Sequence, residues 1–219
     1  MIRASTTAVF AILVALVGCA QETRQPFSPS SHTEERRTLA LEMVQHIVNF
    51  EARRDDTGKI VVYDLDPADG GGLYEVAGIN ERYHRAEATR LRGIIVAGNP
   101  DQAEREAVLY IFGKTSHPAR HASTNAIKFL LRDVAWNRGP TGAVKTLQIA
   151  LNVKADGIVG PITLGALRQA EADPAALITE IRRAREVYER LKGRDESSKF
   201  WAGLVNRWNG ASERAQTYL

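Results

Sequence analysis

The sequence predicts an α+β fold that is mostly α, and three observations carry that assignment. Apolar residues recur at helical spacing through most of the chain after residue 38. Strand propensity is confined to Lys59–Leu65 and a short extended stretch ending at Ile79, separated by the tight loop Asp66-Pro67-Ala68-Asp69-Gly70-Gly71-Gly72. Helix starts and stops are marked by Gly139-Pro140, Pro161 and Asp173-Pro174. With 219 residues, 44% apolar and 25% charged, the chain is long enough for one sizeable domain or two small ones.

The first residues read differently. Arg3 precedes an uncharged run, Ala8 to Leu16, too short to span a bilayer but suited to the core of an export signal. The run ends in Leu16-Val17-Gly18-Cys19, which resembles a bacterial lipobox. Cys19 is the only cysteine, so lipidation there would leave no thiol for a disulfide. A plain signal with a chance cysteine is the competing reading. Ala20 after the cysteine, in place of aspartate, is by resemblance the mark of outer-membrane sorting. Residues 1–18 are therefore expected to be a lipoprotein signal peptide. Residues 19–37, polar and rich in proline and serine, are expected to be a flexible tether.

Thr38 is a plausible N-cap for the first helix, in which Leu39, Met43, Val44, Ile47, Val48 and Glu51 fall near helical spacing. Asp55-Asp56-Thr57-Gly58 is a turn, and a small β-hairpin follows. Asp101 with Glu104 resembles a capping box opening a helix toward Phe112. Asn125 to Asn137 is a strongly apolar helix closed by Gly139-Pro140. Thr141 to Leu151, a helix entered through Pro161, an amphipathic helix from Pro174 to about Gly193, and a last helix carrying Phe200, Trp201, Leu204, Val205 and Trp208 complete the chain.

A glutamate at the junction of an apolar helix and a hairpin is placed to hold a proton, because partial desolvation disfavours its charged form. Glu51 occupies that position. Asp64, Asp66, Asp69 and Glu75 lie downstream as potential partners, and a carboxylate pair is what glycosidic hydrolysis requires.

Four ordered blocks extend this reading. They are Phe50-Glu51-Ala52-Arg53; the Asp66–Gly72 loop with Gly78-Ile79; Asp133-Val134-Ala135-Trp136-Asn137-Arg138-Gly139-Pro140; and Leu147-Gln148 with Asp156-Gly157, Gly160-Pro161 and Thr163-Leu164. Together with Phe200-Trp201, Gly203 and Arg207, residues 38 to 214 resemble glycoside hydrolase family 108, lysozyme-like N-acetylmuramidases with a peptidoglycan-binding-like C-terminal segment. The resemblance implies a lysozyme-like fold with a catalytic lobe over residues 38–122 and a helical peptidoglycan-binding-like lobe over 123–214. It implies Glu51 as catalytic acid and cleavage of the β-1,4 bond between N-acetylmuramic acid and N-acetylglucosamine. Two departures stand out: Ala52 and Arg53 replace the family's glycines, and Lys59 to Asp64 lengthen the connection. Glu75 stands where the family commonly has threonine, so Glu51 and Glu75 would form an inverting pair.

Each assignment has a plainer competitor. Glu51 would otherwise pair with Arg54 on a solvated helix end, Glu75 would lie on the surface, and Asp69 would bind its own loop amides. Tyr74 and Tyr83 would stack on sugars or pack in the core, and Asn137 would line the saccharide groove or cap its helix. Trp136, Trp201 and Trp208 fit a core. His46, His84, His117 and His121 lack metal-ligand spacing, no phosphate-binding loop occurs, and no cofactor or metal is expected. A net charge of +3, evenly spread, gives no basis for a nucleic-acid partner. The expected partners are peptidoglycan glycan strands, the membrane through the Cys19 lipid, and an envelope or secretion machine. The expected location is the periplasm. The alternative function is a lipoprotein of reduced activity that binds peptidoglycan and tethers the envelope or such a machine.

Overall fold

Met43, Val44, Ile47 and Val48 recur at the spacing that collects side chains along one side of a helix, and all four are buried. They belong to α1 (Ser31–Glu51) in the computed structural model, which describes residues 31–66 and 72–219. Cys19, the signal region, the tether through residue 30, and Asp69 with its loop neighbours 67–71 lie outside the described residues. The helix begins seven residues before the expected cap at Thr38, so residues 31–37 are helical. Residues 32–38 are exposed, and no local breaker interrupts them.

The connection after α1 is held by its own side chains. Asp55 Oδ1 accepts from the amides of Thr57 and Lys59, both at 2.9 Å, and Gly58 takes φ +80°. Arg54 forms a bridge with Ile60, and β1 (Val62–Asp64), β2 (Tyr74–Val76) and β3 (Ile79–Asn80) follow. The strands are antiparallel in the order β1-β2-β3, so the expected hairpin gains a third, two-residue strand. The lengthening segment Lys59 to Asp64 supplies β1.

The remaining elements are α2 (Glu81–Val96), α3 (Pro100–Ala119), α4 (Asn125–Ala150), α5 (Pro161–Ala170), α6 (Pro174–Leu191) and α7 (Trp201–Gln216). Helix α4 is the hub, packing on α1, α3, α6 and α7. Ala103 and Ala107, one turn apart and fully buried, make part of the α3 face in the same core. Gly139 (φ 72°, ψ 166°) breaks the helical conformation of α4, and Pro140 restarts it, as the sequence indicates. Asp173 caps α6 by accepting from the Ala176 amide at 3.0 Å.

The capping box expected at Asp101 and Glu104 is not formed. Asn99 is the N-cap of α3 and makes no side-chain cap bond. Glu104 instead accepts two hydrogen bonds from Arg54 (2.8 and 2.7 Å) and one from Gln45 (2.6 Å). A long-range charge-assisted contact wins over the local cap because two guanidinium donors outweigh one backbone amide. The same contact removes Arg54 as a partner for Glu51.

In the second half, buried Gln148 organises the loop between α4 and α5. Its amide nitrogen donates to Asp156 Oδ1, the Ile158 carbonyl and Thr163 Oγ1, and its oxygen accepts from the Gly157 amide at 2.7 Å. Gly157 has φ +84°, and a Cβ there would meet Thr141 at 2.9 Å, so glycine is required. The Gln148–Asp156–Gly157–Thr163 pattern is thus a structural knot. Among the described residues, no helix is long and apolar enough to cross a membrane.

Candidate active site

Glu51 is the last residue of α1, delivered to the sheet by a helix whose apolar stripe fixes its rotation. Its partner is Arg207 of α7, whose Nη1 donates to Glu51 Oε1 at 2.6 Å. Arg207 also donates to Asp133 Oδ1, from Nε at 3.0 Å and Nη2 at 2.6 Å. Arg185 of α6 donates to Asp133 Oδ2 at 2.7 Å. Glu51, Arg207, Asp133 and Arg185 therefore form one chain of alternating charges joining α1, α7, α4 and α6. Burial pushes the Asp133 carboxyl up, but Arg207 and Arg185 outweigh it and hold it below the ordinary aspartate range. Phe50 stacks beneath the Arg207 guanidinium at 4.2 Å.

Gly78 sits against the other side of Glu51. It has φ +74°, and a Cβ added there would lie 2.9 Å from the Glu51 Cβ. The Gly-Ile pair noted in the sequence is therefore a close approach of the sheet turn to the helix end.

Glu75 is the middle residue of β2, between buried Tyr74 and Val76, so it points to the opposite face of the sheet from them. Register places it opposite Tyr63 and Asn80. Burial raises the Glu75 carboxyl pKa, the negative charge of Glu51 raises it further, and Arg53 opposes both. Arg53 lies over the Tyr63 ring at 5.0 Å. Asp64 pairs with Tyr74 and so lies on the other face from Glu75.

A cleft of about 620 Å³ opens beside Gly78. Tyr83, Trp136, Asn137 and Asn80 line it, with Lys114, Arg138 and Arg194 supplying positive charge. Gly78 both borders this cleft and packs against Glu51, which links the carboxylate to the groove. Tyr83 is 70% exposed and available for stacking. Asn137 donates its side-chain amide to the Asp133 carbonyl at 3.1 Å and borders the cleft.

Tyr74 departs from its expected place as a sugar platform. It is 6% exposed, bonded through its hydroxyl to Thr89 at 3.1 Å and covered by Arg92. Strand alternation turns it inward. Trp201 and Trp208 are buried as expected, whereas Trp136 is only half-buried and lines the cleft. His84 stacks on Trp136 (centroids 5.4 Å apart, planes at 13°) and contacts Tyr110 at 3.0 Å. Burial, helped by Lys114, holds its pKa below the ordinary histidine value. Sequence reading missed Arg207, Asp133 and Arg185 as a network. The presence of Asp133 and Arg207 in two of the motif blocks was the available signal; Arg185 carried none. Among the described residues no cluster of potential metal ligands occurs.

Residues 142–209 match a family model described as a predicted peptidoglycan domain. No curated protein matches the chain. Among solved structures the chain is similar to Brucella abortus SagA, at 22% identity and a TM-score of 0.59, covering 84% of this chain and 96% of that one. At that identity the likeness is one of fold. The fold is α+β, mostly α and lysozyme-like, with a long helix meeting a small antiparallel sheet.

Proposed function

We propose that this protein hydrolyses peptidoglycan at the β-1,4 bond between N-acetylmuramic acid and N-acetylglucosamine. The observation that carries the reading is the electrostatic coupling of Glu75 to Glu51, whose side chain packs against Gly78 on the border of an aromatic-lined cleft, in a chain whose second half matches a peptidoglycan domain. Glu51 is the proton donor to the leaving oxygen. Arg207 keeps its two bonds to Asp133 when Glu51 takes a proton, so the guanidinium is never left as an unpaired buried charge. Glu75 is the general base for water: burial holds its carboxyl above the ordinary glutamate range even when Glu51 carries a proton, and that makes it the stronger base. Tyr83 and Trp136 stack on the sugar rings, and Asn137 with the basic rim holds acetamido and lactyl groups. Cys19 lipidation would keep this chemistry within reach of one membrane, in the periplasm, for local opening or remodelling of the wall.

One observation favours a second reading. The family match spans residues 142–209 and does not include Glu51 or Glu75, and Arg53 stands next to the carboxylate pair. A peptidoglycan-binding lipoprotein of reduced activity would fit that pattern. Purified sacculi separate the two. Clearing by the wild type that is abolished by Glu51→Gln, with products bearing reducing muramic ends in mass spectra, supports the hydrolase. Sacculus binding without any product overturns it in favour of the tether.

A further inference from the structure

A second site lies away from the cleft, between the N-terminal half of α1, the end of α3 and the start of α4. It is a groove of about 250 Å³ bordered by Arg36, Arg120, Lys128 and Arg132, with Ser116 and Asn125 between them. No acidic residue borders it among the described residues. Arg132 is the unusual member. It is 7% exposed, yet its hydrogen-bond partners are only the hydroxyls of Thr115 (3.2 Å) and Ser116 (3.1 Å). Its Nε has no partner at all, and Phe112 lies under the guanidinium at 4.9 Å. Both hydroxyls donate onward to helix carbonyls, so they are oriented to accept from the arginine.

A buried guanidinium without a counter-charge is costly, and buried charges are ordinarily paired. Burial accordingly lowers the Arg132 pKa to about 10, with no carboxylate to restore it. Arg185 and Arg207, buried to the same degree, share Asp133. Arg132 lacks such a partner and faces a groove holding three further cations.

We propose that this groove binds a phosphate group. Four cations around one groove exceed what a single carboxylate would use. A phosphate offers three acceptor oxygens and charge approaching −2, and arginine forks match it well. Arg132 supplies the fixed, desolvated donor at the base. Arg36, Arg120 and Lys128 close over the remaining oxygens. Leu39, Ala40 and Met43 form an apolar wall along which a substituent on the phosphate would lie.

The test uses the full chain and two probes, inorganic phosphate followed by calorimetry and phosphatidic acid vesicles followed by flotation. The key variant is Arg120→Ala/Lys128→Ala, because both residues reach solvent and neither packs in the core. Arg105→Ala/Arg168→Ala, which removes two exposed cations elsewhere, controls for charge alone. At least a tenfold loss of phosphate affinity in the first variant, with the control retaining it, supports the site. Loss of vesicle binding as well identifies a lipid headgroup as the source, and phosphate binding without flotation identifies a soluble phosphate compound. Arg132→Lys, which keeps the charge but not the fork, is expected to weaken binding by a similar factor. Wild type that binds neither probe saturably, or equal losses in the variant and the control, overturns the proposal.

Discussion

Replacing Arg207 with methionine removes the cation that Glu51 and Asp133 share. The side chains of Arg207 and Asp133 are 6% and 3% exposed, so water cannot compensate, and solvent screening does not reduce the loss. Removing one partner of a buried ion pair costs about 3–5 kcal/mol, against roughly 0–1 kcal/mol for an exposed pair. For a domain of this size, about 2–4 °C of melting temperature accompanies each kcal/mol, so Arg207→Met should lower Tm by roughly 6–20 °C. Glu51→Gln is the internal control: its side chain is 24% exposed and Asp133 still pairs Arg207, so its loss should stay near 1 kcal/mol or below. The triple variant Asp133→Leu/Arg185→Met/Arg207→Met removes every fully buried charge of the network together. It should be less destabilised than Arg207→Met alone, because that single variant leaves Asp133 buried with Arg185 as its one remaining cation, whereas the triple variant leaves no buried carboxylate short of partners. Urea and thermal unfolding followed by circular dichroism measure all three. An Arg207→Met protein melting within about 2 °C of wild type, or a triple variant with summed losses, refutes the assignment of the network as a fully desolvated unit. The acid limb gives a second check. Asp133 titrates lower in the folded chain than unfolded, so its stabilisation is present above the unfolded aspartate pKa and is lost as pH falls through the folded value. Arg207→Met should therefore shift acid unfolding to higher pH.

Four further outcomes follow from the site. Gly78→Ala meets both a positive φ and the Glu51 side chain, so it should cost about 1–2 kcal/mol and lower turnover on sacculi by about 100-fold through displacement of Glu51. Glu75→Gln should abolish or strongly reduce hydrolysis while stabilising the fold near pH 7. Because the Glu75 pKa is raised on folding, its favourable contribution is complete below the unfolded glutamate pKa and lost as pH rises through the folded value, so the stabilising effect of the amide should vanish near pH 4. Tyr83→Ala should leave the unfolding free energy within about 0.5 kcal/mol of wild type and weaken sacculus binding by roughly 2–10-fold. Tyr74→Ala should instead destabilise by about 3–5 kcal/mol, the usual loss for a buried aromatic.

The sequence by itself determined what depends on near neighbours. The apolar stripe of α1, the break at Gly139-Pro140 and the start of α6 at Asp173-Pro174 are set by interactions spanning a few residues, and each is present as read. Glu51 at a helix end beside a hairpin was legible for the same reason. Tertiary structure decided the partners. Glu51 and Arg207 stand 156 positions apart, and nothing local distinguishes that arginine from Arg54, which goes to Glu104 instead. The start of α1 at Ser31 was hidden because its first turns are exposed and carry no periodic apolar signal. Whether an aromatic faces sugar or core was open for the same physical reason. Alternation along β2 turns Tyr74 inward, while the break at Gly139 ends the first part of α4 so that Trp136 faces the cleft. Side-chain direction follows from element rotation, and rotation is fixed only when distant elements pack.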